Sequence, residues 1–153
     1  MDDVAIFEGR AMYTTSDIPV GMTKDAGWEI GVRRTVELTP GEAWQLVTSP
    51  AGRRCWLGEV EGWALEPGAA YHLPEGTHGE IRVVSASHLR LTWQPPGWER
   101  PSTIQVRVNA NGPRAVIAFH QEHLPGQAER AERKAHFLAA LAALESLAQH
   151  LPE

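Results

Sequence analysis

From Pro125 onward the chain adopts a helical period. Phe137, Leu141, Leu144, Ala148 and Leu151 recur at three- and four-residue spacing, which predicts an amphipathic helix of about 25 residues with one apolar stripe. Pro125 opens it, and Glu129 and Arg133 form an i,i+4 pair that the pattern assigns to its outer face. A helix so apolar along one side does not stand alone in water and has to lie on another apolar surface. The residues ahead of it must therefore supply that surface.

They read as a strand, two short helices and a meander of hairpins. Trp28, Ile30, Val32, Val36 and Leu38 alternate with Glu29, Gly31, Arg33, Thr35 and Glu37, and only Arg34 breaks the apolar row. Thr39-Pro40-Gly41-Glu42 carries an N-cap, a proline at the first helical position and a glutamate three residues after the cap. Ala43, Trp44, Leu46 and Val47 give that helix an apolar side, Ser49-Pro50 ends it, and a second short helix runs from Ala51 to Trp56 before Gly58. Beyond it, turn residues such as Glu66-Pro67-Gly68, Pro74-Glu75-Gly76, Pro95-Pro96-Gly97 and Asn111-Gly112-Pro113 separate short runs: Ala69–Leu73, Gly79–Val84, His88–Gln94, Thr103–Val108 and Arg114–Glu122. Leu89, Leu91 and Trp93 share one face, as do Ile104, Val106 and Val108, the pattern of half-buried antiparallel strands. This order predicts an α+β domain over residues 27–151. Residues 1–26 show no sustained period and read as an N-terminal extension.

The 153 residues suffice for one core, and 42% apolar content is enough to fill it. The net charge of −5 is unevenly placed: residues 1–76 hold six Lys/Arg against twelve Asp/Glu, a net of −6, and the remainder eight against seven, a net of +1. No basic stripe runs along the chain, which argues against nucleic-acid binding. The single Cys55 forms no internal disulfide, Met1 is followed by no signal-peptide pattern, and no run approaches a membrane span, so a soluble cytoplasmic protein is expected. Tryptophan is the compositional oddity: six, against three Phe and two Tyr.

Few residues carry a chemical motif. His120-Gln121-Glu122-His123 invites a metal reading, but on a strand His120 and Glu122 share a face while His123 points away, so no metal site is expected. Cys55 has a cationic neighbour in Arg54 but no local base, and packing is its expected role. Arg34, in an apolar strand face, needs an acceptor: either a carboxylate such as Glu80 or Glu122, or the acid group of a ligand. The other histidines, His136 among them, read as scattered surface or loop residues. No nucleophile elbow, phosphate loop or dinucleotide fingerprint is present.

Four stretches together carry a family resemblance: Arg34-Thr35-Val36 leading to Pro40 and Ala43-Trp44; Trp56-Leu57-Gly58; Gly79-Glu80-Ile81 followed by Leu89-Arg90-Leu91-Thr92-Trp93; and Phe119-His120-Gln121-Glu122-His123-Leu124-Pro125 with the Ala-Leu-rich helix. As a set they resemble the START-like (SRPBCC) superfamily, in the branch named after the activator of the heat-shock protein 90 ATPase. Ala43 stands where that branch often has Val, and Phe137 where it commonly has Trp. The resemblance implies a helix-grip fold, a curved antiparallel sheet of six to seven strands wrapped around the long C-terminal helix, with two short helices after the first strand. It also implies an apolar cavity between sheet and helix. Trp44, Trp56, Tyr71, Trp93, Phe137, Leu141 and Leu144 are the expected lining, Trp98 and Trp63 the loop-side aromatics, and Arg34, His120 and Glu122 the polar contacts. The function expected is non-catalytic binding of a small apolar or aromatic ligand by a monomer or homodimer that needs no cofactor. The alternatives are a chaperone-linked stress protein and a cyclase- or dehydratase-like enzyme of the same fold.

Overall fold

The computed structural model describes residues 22–23 and 27–150. The rest of the N-terminal extension, and Leu151 of the expected terminal helix, lie outside the described residues.

Among the described residues the alternating runs become one seven-stranded sheet. Its strands are β1 (Met22–Thr23), β2 (Gly27–Val36), β3 (Ala70–His72), β4 (His78–Val84), β5 (His88–Trp93), β6 (Ser102–Asn111) and β7 (Arg114–Leu124). The spatial order is β1-β2-β7-β6-β5-β4-β3, with every neighbouring pair antiparallel. Two short helices, α1 (Pro40–Thr48) and α2 (Pro50–Trp56), connect β2 to β3, and α3 (Gln127–Ala148) follows β7. The strand that the sequence pattern does not announce is β1, because two residues cannot display a period. It pairs through Met22 with Trp28 and through Thr23 with Gly27.

The local devices form as the residue types dictate. Thr39 Oγ1 accepts the Glu42 amide at 3.2 Å and the Glu42 carboxylate accepts the Thr39 amide at 2.9 Å, closing the capping box of α1. Ser49 ends α1 and caps α2, where its hydroxyl accepts the Gly52 amide at 3.1 Å. The corner is so tight that a Cβ on Gly52 would lie 1.8 Å from the Leu46 carbonyl oxygen, so only glycine fits.

One face of the sheet holds the core. Ile30 and Val32 of β2, Ile117 and Phe119 of β7, Ile104 and Val106 of β6 and Leu89 and Leu91 of β5 are all buried, and the alternate residues are more exposed. α3 packs on β2 and β7 and against α2, with Phe137, Leu141 and Leu144 buried on its inner side. The Phe137 ring stacks on Phe119 at 4.9 Å, and Trp56 closes over Phe119 at 5.8 Å from the end of α2. The expected outer-face pair of Glu129 and Arg133 does not form. Arg133 lies four residues before Phe137, in the same stripe, so the helix turns it toward the sheet, where it is only 7% exposed.

Candidate functional site

The most unusual chemistry of the interior surrounds Arg133. Its Nε donates to Gln121 Oε1 at 2.8 Å, Gln121 Nε2 donates to Ser102 Oγ at 2.8 Å, and Ser102 Oγ donates to the Trp93 carbonyl at 2.7 Å. Gln121 and Ser102 are fully buried, so α3, β7, β6 and β5 are joined by one directed hydrogen-bond chain through the core. The guanidinium carbon lies 3.8 Å from the centre of the Trp93 ring and 4.9 Å from that of Phe137, a cation–π arrangement that partly replaces lost hydration. Among the described residues Arg133 has no ion-pair partner. Burial pulls its pKa down to about 10, against the opposing influence of Glu132 and Tyr71, so it remains a cation at neutral pH. Tyr71 stands nearby with its hydroxyl donated to the Thr92 carbonyl at 2.6 Å, and burial pushes its pKa well up. Gly79 makes that bond possible, since a Cβ there would lie 2.0 Å from the Thr92 oxygen and 2.6 Å from the Tyr71 hydroxyl.

A cleft of about 640 Å³ opens at the N-terminal end of α3, within the usual ~300–1,000 Å³ of small-molecule sites. Trp98, Pro101, Leu124 and Pro125 supply apolar walls, and Arg100, His123 and Glu129 supply polar ones. The Trp98 loop is fastened by Gln94 Nε2, which donates to the Trp98 carbonyl at 2.6 Å. Trp98 meets Trp93 edge to face at 5.5 Å, and Trp93 in turn covers Arg133, so an aromatic relay runs from the cleft wall to the buried cation.

Of the residues expected at a site, Trp98 lines this cleft and Trp93 lies behind it. Trp56, Tyr71, Phe137, Leu141 and Leu144 are buried in the core, and Trp44 is half-buried on α1. Trp63 lies between the Tyr71 ring, at 5.9 Å, and the Arg53 guanidinium, at 5.0 Å. Arg34 pairs with neither Glu80 nor Glu122 but with Glu145 at 3.2 Å, because α3 passes over the end of β2.

His120 and Glu122 are not at the mouth of the sheet–helix interior. Phe119 and Gln121 of β7 touch α3 residues, so the even-numbered side chains of that strand point to the opposite face. There His120 Nε2 hydrogen-bonds the Glu29 carboxylate at 2.8 Å, and Glu122 accepts from Gln105 Nε2 at 3.1 Å. His123 adopts φ 63°, and this bend brings its ring within 3.7 Å of Glu122, on the side from which simple alternation would exclude it. Among the described residues no cluster of three His, Cys, Asp or Glu side chains is arranged to hold a metal ion.

His136, expected at the surface, is half-buried. It hydrogen-bonds the Trp56 carbonyl through Nε2 at 2.8 Å, and burial, with Arg133 nearby, lowers its pKa. Burial raises the Cys55 thiol pKa more than Arg54 lowers it, which leaves the sulfur in its unreactive protonated form.

The residues missed from the sequence are thus Arg133 and Gln121. Both had a signal: stepping back four positions from Phe137 reaches Arg133, and stepping on two from Phe119 reaches Gln121.

No family model matches the chain, and no curated relative does. Solved structures do. CalU16 from Micromonospora echinospora is 21% identical with a TM-score of 0.70, the match covering 84% of this chain and 82% of that one. DynU16, a protein of the dynemicin biosynthetic locus, is 17% identical with a TM-score of 0.68 over 80% of this chain and 47% of its own. An HSP90 activator from Plasmodium falciparum is 15% identical with a TM-score of 0.64 over 78% of this chain and 94% of its own. Among the described residues no helix is long and apolar enough to cross a membrane. A curved antiparallel sheet packed on a long C-terminal helix, with two short helices after the first long strand, is the fold this chain shares with these structures: it has a helix-grip fold.

Proposed function

We propose that the protein is a binding module that captures a small aromatic or apolar ligand at the open end of the sheet–helix interface, without catalysing a reaction. The observation that carries this reading is the cleft of about 640 Å³ with Trp98 in its wall. Trp98 contacts the ligand, and Trp93 behind it extends the aromatic surface inward. Trp56, Phe137, Leu141 and Leu144 serve by keeping the interior packed, so that the cleft walls hold their shape.

The test is a titration with the neutral probe N-phenyl-1-naphthylamine, following probe and tryptophan emission. Saturable one-to-one binding is expected, weakened at least ~5-fold by Trp98→Ala, as befits loss of a buried aromatic contact. No saturation up to the solubility limit of the probe would overturn the reading.

A second reading, action on an HSP90-type chaperone, takes its support from the likeness to the Plasmodium falciparum activator. Addition of saturating protein to such a chaperone would change its ATPase turnover; an unchanged rate ends that reading.

A further inference from the structure

We infer that Arg133 makes the site selective for ligands that carry an anionic group, a carboxylate or sulfonate on an aromatic or apolar body, over their neutral counterparts. The inference rests on the binding reading above and adds the ligand's chemical class.

The argument begins with position. Arg133 shares the inner stripe of α3 with Phe137, Leu141 and Leu144, where an apolar residue would satisfy packing at far lower desolvation cost. A buried guanidinium has five N–H donors. Only Nε has a hydrogen-bond acceptor among the described residues, namely Gln121; Nη1 and Nη2 have none and are not sealed from solvent. The Trp93 and Phe137 rings stack against the cation but offer no in-plane acceptor of the kind those nitrogens seek.

Orientation comes next. Because Gln121 is itself held by Ser102, and Ser102 by the Trp93 carbonyl, the guanidinium is anchored at Nε. Its two terminal nitrogens are left as a fork of the geometry that suits a carboxylate or sulfonate.

Access is along α3. Glu129, in the cleft wall, lies four residues before Arg133, one turn or ~6 Å along the helix axis. Trp98, in the cleft wall, meets the edge of Trp93, and Trp93 covers the cation. A ligand whose ring replaces the Trp98 edge against Trp93 brings its acid group to the guanidinium.

The experiment compares two probes with the same ring skeleton: anionic 8-anilinonaphthalene-1-sulfonate and neutral N-phenyl-1-naphthylamine. The wild-type protein is expected to prefer the anion about 10-fold, the worth of a charge-assisted hydrogen-bonded pair. Arg133→Met removes that preference by weakening the anionic probe alone, Arg133→Lys keeps part of it, and Arg90→Gln, an exposed cation on β5 outside the cleft wall, leaves it intact. A purely structural arginine would move the affinities for both probes together.

Equal affinities in the wild-type protein overturn the inference, as does a preference that survives Arg133→Met or vanishes with Arg90→Gln. If Arg133→Met loses its far-ultraviolet helical signal, the wild-type ratio and Arg133→Lys decide. If neither probe saturates, the binding reading itself falls. If both bind equally and Trp98→Ala weakens both, only the anion selectivity falls.

Discussion

Gln121 shows how much of the interior depends on single polar atoms. It is fully buried on the α3-facing side of β7, between Phe119 and the last turn of the strand, and both ends of its amide are used. Gln121→Leu suits the apolar face but strips the acceptor from Arg133 Nε. An unpaired charged donor in the core is costly, so a loss of about 1–3 kcal/mol is expected in urea unfolding. His136 makes a different claim. Its folded pKa is depressed by burial, so the unfolded chain binds the proton first as pH falls. The stability that comes from the neutral ring is complete above about pH 6.5 and declines as pH drops below it. Unfolding free energies between pH 7.5 and 5.5 should fall more steeply for the wild-type protein than for His136→Asn; parallel curves would show that another group sets the slope. The role of His136 is not open to a reading of residue types, since a histidine among Ala and Lys on a helix looks like a surface residue until α2 is placed over it.

The helices and strands differ in how openly their sequences declare them. The capping box of α1 is complete in Thr39 to Glu42 and forms with both bonds. Gly52 looks like an ordinary flaw in α2 and becomes indispensable only at the Ser49 corner, where its missing Cβ lets α2 approach the end of α1. Gly52→Ala is therefore expected to cost about 1–3 kcal/mol, as overpacking does, although alanine is the better helix former. A thermal melt at or above the wild-type value would contradict the close approach. β1 lies at the other extreme, two residues whose only mark is their pairing with Gly27 and Trp28. α3 is intermediate. Its period, length and apolar stripe were plain, yet Arg133 was assigned to the wrong face because a charged residue beside a glutamate at i−4 looks like an exposed pair.

The assembly of sheet and helices turns these pieces into two chemically distinct surfaces. Toward α3 the sheet is apolar around the Trp56–Phe119–Phe137 stack. On its other face a polar row crosses the strands, with Gln105 hydrogen-bonded to both His88 and Glu122, and Glu29 to His120. Phe137 is the joint between helix and sheet, fully buried and stacked. Phe137→Ala is expected to cost about 3–5 kcal/mol, and a loss below 1 kcal/mol in urea unfolding would mean that α3 can settle into the space.

The fold could be read from the chain because periodicity is local: a strand's two-residue alternation and a helix's 3.6-residue stripe are written in consecutive residues, and a long apolar stripe leaves few ways to be covered. The candidate site could not, because its chemistry is made by residues distant in sequence. Arg133, Gln121, Ser102 and Trp93 lie on four elements, and Trp98 and Glu129 meet across one cleft through the packing of α3 on the sheet. Whether a buried polar group has a partner depends on distance and direction, and those exist once the chain has closed on itself.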